Sequence, residues 1–479
     1  MFNNIQEFYN VIPIVIVSGI VLVSVTIEMY SNKSEGILPW LSIAGFLAAG
    51  LYSYLNLNQT SEVLQNMLAT GGIVNIFWII FNVGAAIVCI LSISYIKKYD
   101  TNLGEYYIII QTSVLGMMLM AGAKDLIMIF LGLEVMSISF YVLAGFNKKR
   151  TSANEASIKY FLLGAFATGF LVYGIALIYG IAGSTSIDVI SSNISVLTGN
   201  LLFLVGVLLF LIGFSFKIAA FPFHMWVPDV YQGSPTTVAG LFSTIGKAAA
   251  FSVLIVVLTS LFGGAGKNLF SPYLSAIAVF SMLFGSIVAI MQTDIKRMLA
   301  YSSIAHAGYM LIGLAAGNSE GVSGIIFYLA AYAFMNLAAF GIVSILEGKD
   351  ETNLEINSYA GLGSRSPFLA GLLALIMFAL AGIPPFAGFF GKYYVFIAAI
   401  KANLTWLAIV GIISSVISVY FYLRIVVIMY FKSPETEVKP SISINEIIGV
   451  VISVSLVIFF GLAPGSLINL ITSFVYVIN

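Results

Sequence analysis

Five charged side chains fall where a sequence has least reason to place them. Lys217 in FKIAAFPFHMW, Lys247 in TIGKAAAF, Lys392 in AGIPPFAGFFGK, Lys159 and Glu134 all lie inside long apolar runs. The two histidines, His224 and His306, have similar surroundings. These residue types share one chemistry: each gains or loses a proton, and burial moves the point at which it does so. A buried lysine beside a glutamate is a proton switch, because moving the carboxylate changes how firmly the ammonium holds its proton. A histidine can relay protons between lysines, and Ser302 and Ser303, just before His306, can order water. The competing reading is structural: ion pairs, packing histidines and snorkelling chains. It suits Lys159 best, since Glu155 stands four residues before it and its helix begins about one turn away. It suits Lys247 least, deep in its helix among small residues. His224 follows Lys217 by seven residues and shares its face only if the helix runs on through Pro222.

The surroundings are a membrane. Of 479 residues, 60% are hydrophobic and 8% charged, against roughly a quarter charged in a soluble domain. The first apolar segment, from Val11, has no basic residue ahead of it and reads as a retained helix rather than a cleaved signal. A single cysteine, Cys89, excludes an internal disulfide, an iron–sulfur cluster and a multi-cysteine zinc site. Two histidines far apart make a metal centre unexpected, and no nucleotide-binding glycine motif is present. No cofactor is therefore expected in this chain, and no nucleic-acid partner.

Spans of ~20 apolar residues predict an all-α membrane protein of about fourteen helices: 8–28, 37–58, 73–96, 105–122, 125–146, 156–180, 200–221, 234–261, 272–292, 298–317, 322–346, 367–391, 404–429 and 445–470. With the N-terminus outside, the inner connections and helix ends carry Lys33, Lys97, Lys98, Lys148, Lys149, Arg150, Lys296, Arg297, Lys349, Arg365, Arg424, Lys432 and Lys439. The outer ones carry only Lys124, Lys267 and Lys401. This bias places both termini outside. Glu134 then lies ~13.5 Å along its helix from Asp125, near the midplane. Pro222 interrupts the seventh helix and Pro384–Pro385 the twelfth, each beside a lysine. Pro222 frees the carbonyl of Ile218, and the double proline those of Leu380 and Ala381. Broken helices at membrane depth line ion paths. An odd spacing of five helices gives the two breaks opposite orientation, as in inverted repeats of helices 4–8 and 9–13. The expected organisation is residues 1–103, 104–262 (first repeat), 263–431 (second repeat) and 432–479.

Three runs, FSFKIAAFPFHMWVPDVYQGSPTTVAGLFSTIGKAAAF, DIKRMLAYSSIAHAGYM and LAGIPPFAGFFGKYYVF, closely resemble the antiporter-like membrane subunits of respiratory complex I, the proton-pumping NADH–quinone oxidoreductase, and among them subunit N. The resemblance covers the whole chain in length and helix count. The PDVYQGSP loop and Lys392, where subunit M has a glutamate, favour N. The corresponding subunits of the photosynthetic NDH complex and of F420H2 dehydrogenases are near relatives. The resemblance implies Glu134 and Lys217 as the coupling pair, Lys247 and His224 as the connection to mid-membrane, and Lys392 as the exit-side carrier. It adds Lys159 to the polar axis and makes His306 a link in it. It further implies an inner-membrane location. The partners would be subunit M, the small subunits K, J, A and H, and a peripheral arm holding NADH, FMN, iron–sulfur clusters and quinone sites. Two alternatives are a cation/proton antiporter component and a purely structural subunit.

Overall fold

The structure is a computed structural model that describes residues 5–31, 34–99, 103–262, 267–349, 352–433 and 442–475. Lys33 and Lys439, used above to orient the chain, lie outside them. In hydrocarbon every backbone polar group must be satisfied within the protein, so apolar runs fold as helices. In chain order these are α1 (Ile12–Tyr30), α2 (Ser34–Leu55), α3 (Gly72–Lys98), α4 (Glu105–Gly122), α5 (Leu126–Ala144), α6 (Thr151–Ala182) and α7 (Leu201–Lys217), which resumes after its break as Val227–Gly233. Next comes α8, built of Thr236–Leu241, a π-helical turn Phe242–Gly246 and Lys247–Phe262. Then follow α9 (Lys267–Ile290), α10 (Ile295–Ala316), α11 (Ser319–Leu346), α12a (Pro367–Ala381), α12b (Ala387–Lys401), α13 (Thr405–Phe431) and α14 (Ile444–Leu462). Among the described residues, eleven helices are long and apolar enough to cross a bilayer. The 18-residue α4 and the two interrupted helices complete the expected fourteen segments.

Three details depart from expectation, the first being that α12b runs on to Lys401, well past the expected end of its segment at residue 391. The last segment divides at Ala463, where Pro464 starts a new helix, Pro464–Val475. A two-stranded hairpin, β1 (Ser61–Val63) with β2 (Leu68–Thr70), fills the link between α2 and α3. That hairpin explains how α4 turns into α5 across so short a link. Lys124 N donates to Met67 O at 2.9 Å, and the Asp125 side chain caps α5 by accepting from Ile127 N at 2.8 Å.

The helices are graded in burial. The apolar window of α11 is 100% buried and that of α10 94%, whereas that of α1 is 22%. The protein thus has a central core of α8, α10 and α11, with outer helices that turn apolar side chains outward.

The two halves repeat one another in backbone detail. Asp125 bridges to Ser186 and Asp294 to Glu355. Both bridges carry the same two hydrogen bonds: Leu126 N to Thr185 O and Ile187 N to Lys124 O in one, Ile295 N to Leu354 O and Ile356 N to Thr293 O in the other. Asp294 caps α10 as Asp125 caps α5. A Cβ on Gly116 would stand 2.6 Å from Met136 N, and one on Gly285 would stand 2.7 Å from Ala305 N, so α4–α5 and α9–α10 approach equally closely. One sequence offset relates every pair. Carried onward, it sets Ser303 opposite Glu134 and His306 opposite Ser137.

Candidate functional site

The two helix breaks have one construction. α7 ends in a Schellman cap: Ala219 is left-handed (φ 64), Ala219 N donates to Phe216 O at 3.1 Å, and Ala220 N donates to Ser215 O at 2.9 Å. α12a ends the same way around Gly382 (φ 83), with Gly382 N to Ala379 O and Ile383 N to Phe378 O, both 3.1 Å. The helices therefore stop before their prolines, and Lys217 is the last helical residue of α7. Lys392 lies in the second turn of α12b and reaches back across its break. Its Nζ donates to the carbonyls of Leu380 at 3.3 Å and Ala381 at 2.9 Å, and to Ser415 Oγ at 2.9 Å. Those are the two carbonyls that the double proline was expected to free.

Lys217 is 7% exposed. Its Nζ donates to Ser137 Oγ at 2.7 Å and Tyr141 OH at 3.4 Å, both on α5. The ammonium also lies 5.5 Å from the Tyr141 ring and 5.9 Å from the Tyr160 ring. Glu134, one turn before Ser137, accepts from Thr168 Oγ1 at 3.0 Å. The expected Glu134–Lys217 pair is thus no contact ion pair. Each partner is held by a hydroxyl, and the two interact through space.

His224 does not share a face with Lys217, because α7 stops at the cap instead of continuing through Pro222. Its ring packs on Phe221 (5.4 Å) and Phe284 (4.6 Å), and among the described residues Nδ1 meets no partner. Lys159 also stands apart from the buried residues. It is 41% exposed and forms ion pairs with Glu155 (2.7 Å) and Asp229 (2.6 Å), while Asp229 also binds Arg297 at 2.7 Å.

The remaining residues converge in the core. Lys247, 1% exposed, follows the π-turn of α8 directly. Its Nζ donates to both the carbonyl and the Oγ of Ser303 on α10, each at 2.6 Å. One turn on, His306 lies within electrostatic range of both Lys247 and Lys392. Its Nδ1 is 2.8 Å from Tyr328 OH and its Nε2 is 3.0 Å from Tyr422 OH. One ring nitrogen donates and the other accepts, as the tautomer dictates. Tyr422 OH also bonds Ser302 Oγ. Tyr309 OH bonds Ser414 Oγ at 3.1 Å, and its ring lies 5.1 Å from Lys392 Nζ. From Ser303 to Ser415 the core is a run of hydroxyls around one imidazole. Between Lys217 and Lys247 the contacts are rings instead: Tyr160 on Phe242 (5.6 Å), Phe242 on Phe140 (4.5 Å), and Phe140 against Gly246.

The hydroxyl partners Ser137, Tyr141, Tyr328, Tyr422 and Ser415 carry no sequence signal of their own. Only the Ser302–Ser303 pair announces itself. Among the described residues no group of three or more His, Cys, Asp or Glu is placed to hold a metal ion.

The family profile described as NADH:quinone oxidoreductase/Mrp antiporter, TM, matches residues 123–418. NADH-quinone oxidoreductase subunit N 1 of Chloroherpeton thalassium is 43% identical over 97% of this chain and 98% of its own length. NADH-quinone oxidoreductase subunit N of Trichlorobacter lovleyi is 44% identical over 89% of this chain and 88% of its own. Among solved structures, a chain of respiratory complex I from Thermus thermophilus with bound aureothin superposes with a TM-score of 0.82 at 29% identity, covering 96% of this chain and 99% of that one. A chain of the Mrp complex from Dietzia sp. DQ12-45-1b gives 0.87 at 18% identity, covering 98% and 97%, a likeness of fold alone.

Proposed function

The chain belongs to the NADH:quinone oxidoreductase/Mrp antiporter transmembrane family, and we propose that it is a proton-translocating membrane subunit of an NADH–quinone oxidoreductase. One observation carries this reading. Lys217, Lys247 and Lys392 are buried, and each is held by hydroxyl or carbonyl oxygens instead of a carboxylate. A structural lysine is fixed by an ion pair, whose rupture costs ~3–5 kcal/mol when buried. A lysine held by neutral oxygens can release its proton and keep hydrogen-bonded neighbours. Such a group is a carrier.

Glu134 is the control element in this reading. Its approach to Lys217 stabilises the ammonium, and its withdrawal or protonation lets the proton go. The proton passes the rings of Tyr160, Phe242 and Phe140 only when water bridges them, so this gap is a gate. Beyond it, Lys247, Ser303, His306, Tyr422 and Tyr309 lead toward Lys392. Moving one proton against 100 mV costs ~2.3 kcal/mol, and a two-unit change in lysine acidity is worth ~2.7 kcal/mol, so the switch is of adequate size. Lys159 acts at the rim, through Asp229, and His224 borders the break.

The chemistry that drives the switch belongs to partner subunits: NADH oxidation with FMN and iron–sulfur clusters, and quinone reduction. Membrane-arm subunits of the M, K, J, A and H types are the neighbours in this reading, in the inner membrane with both termini outside, as the basic-residue bias supports. Repeats at 104–262 and 263–431, flanked by 1–103 and 432–479, are supported by the matched bridges, caps and glycine contacts. A variant complex with Lys217→Ala, reconstituted in vesicles, tests the reading. Pumping is expected to fall at least tenfold with assembly intact, and unaltered pumping would refute it. Sodium-dependent exchange by the chain without redox partners would favour the antiporter alternative.

A further inference from the structure

A second set of buried charges lies away from the lysine line, where the ends of α3 and α11 meet the starts of α6, α8 and α14. Glu347, which caps α11, is 1% exposed. Its Oε2 accepts from Thr236 Oγ1 at 2.6 Å, and Arg150 Nη1 stands 3.6 Å from its Oε1. Glu446, in the first turn of α14, is 2% exposed, and among the described residues its Oε2 meets no donor. Lys98 gives its hydrogen bond to the Glu347 main-chain carbonyl and lies within electrostatic range of both carboxylates. Tyr95 OH accepts from Thr236 N at 3.0 Å, Tyr99 OH donates to Gly348 O at 3.0 Å, and Tyr359 is within range of Glu347. A staple tying helix ends together accounts for Glu347, Thr236 and Arg150. It does not account for Glu446, since an ionised oxygen buried without a donor costs several kcal/mol. A proton on that carboxyl removes the buried charge, the larger part of the cost.

The cluster and Lys247 are joined by the α8–α11 interface, which packs closely at its middle, where Gly240 meets Phe340 and Leu337. Thr236 opens α8, and Lys247 lies ~16 Å further along it. On the facing α11, Asn336 lies ~16 Å from Glu347 and Tyr332 one turn beyond. Both amide atoms of Asn336 and the hydroxyl of Tyr332 are buried without a hydrogen bond of good geometry. Tyr332 OH neighbours both Asn336 and Ser303, and its ring is 5.8 Å from Lys247 Nζ. Buried polar groups left so by the protein are where water is held.

We propose that Glu446 and Glu347 form a proton-loading site that supplies Lys247 along the α8–α11 seam, through water held by Asn336 and Tyr332. A proton from solution neutralises the Glu446 carboxylate. When Lys247 has become a neutral amine, that proton passes along the seam to its nitrogen, and Glu446 returns to carboxylate. The proposal rests on the proton-translocation reading.

The test uses the whole complex in vesicles, driven by NADH and a quinone, with Asn336→Leu, Glu446→Gln and Lys247→Ala variants. Asn336→Leu and Glu446→Gln are expected to assemble and to pump at least tenfold more slowly. If both pump at the unaltered rate while Lys247→Ala does not, the loading site is wrong and the translocation reading stands. If Lys247→Ala also pumps normally, both fall. A measurement free of assembly defects uses the unaltered complex labelled with 13C-glutamate. A protonated-carboxyl stretching band that changes on turnover is expected in infrared difference spectra, and its absence overturns the proposal.

Discussion

At the residue scale, the distinction that matters is between a lysine held by a charge and one held by neutral oxygens. Ser303 offers two acceptors to Lys247, and Ser303→Ala removes the side-chain one. Hydrogen bonds to charged groups are worth ~1.5–3 kcal/mol. Pumping by that variant is expected to slow about tenfold or more, measured by vesicle acidification in the assembled complex. A rate equal to that of the unaltered protein would show that the serine is packing. The charged members of the site were legible because a charge in an apolar run is anomalous whatever the fold. Their hydroxyl partners were not, because Ser and Tyr are unremarkable at any depth of a helix. For His224 the sequence left the face open, because it depended on the helix running on through Pro222. The proline marks that a helix breaks, but the break begins earlier, at left-handed Ala219, and seven residues of helical spacing no longer apply.

At the element scale, the two Schellman breaks place the site. Gly382 has φ 83, and an added Cβ would lie 3.0 Å from both Cδ and Nζ of Lys392. Gly382→Ala therefore combines a left-handed cost of ~1–2 kcal/mol with pressure on the ammonium. The expected result is an assembled complex with pumping reduced severalfold; full activity would mean that the break does not position Lys392. The hairpin gives a pH prediction. Lys124, in the α4–α5 link, is held by Glu62 and by Asp188 at 2.6 Å. Burial opposes its charge, but the hydrogen bonds it donates to Asp188 and Glu62 outweigh burial and hold the ammonium above the ordinary lysine range. A raised value means the clasp contributes fully below the unfolded lysine's pKa and is lost as pH rises through the folded one. Amide exchange in Ser61–Thr70 should stay protected relative to its intrinsic rate through neutral pH and lose that protection only in strong alkali. Loss of protection near neutrality would contradict the clasp. Apart from the twelfth segment, which runs on to Lys401, and the last, which divides at Ala463, helix boundaries were readable from hydropathy within about five residues. Three-residue strands are too short to carry a period, so the hairpin was not.

At the scale of the whole molecule, the duplication was visible as a pattern of prolines and lysines but not as letters. What the halves share is backbone geometry, which bridges, caps and close glycine contacts preserve under different side chains. The offset that pairs Asp125 with Asp294 puts Ser303 where the first half has Glu134. The second half thus has no carboxylate at that place. The central helices α10 and α11 are almost wholly enclosed, and at its far end the hydroxyl run meets a cavity lined by Lys392, Ser415, Ile412 and Val416. The most direct test of the account is proton translocation per turnover by the reconstituted complex carrying Lys247→Ala, with assembly verified and Lys217→Ala measured beside it. The account predicts that both variants lose most of their proton movement. An assembled Lys247→Ala complex that moves protons at the unaltered rate would contradict it.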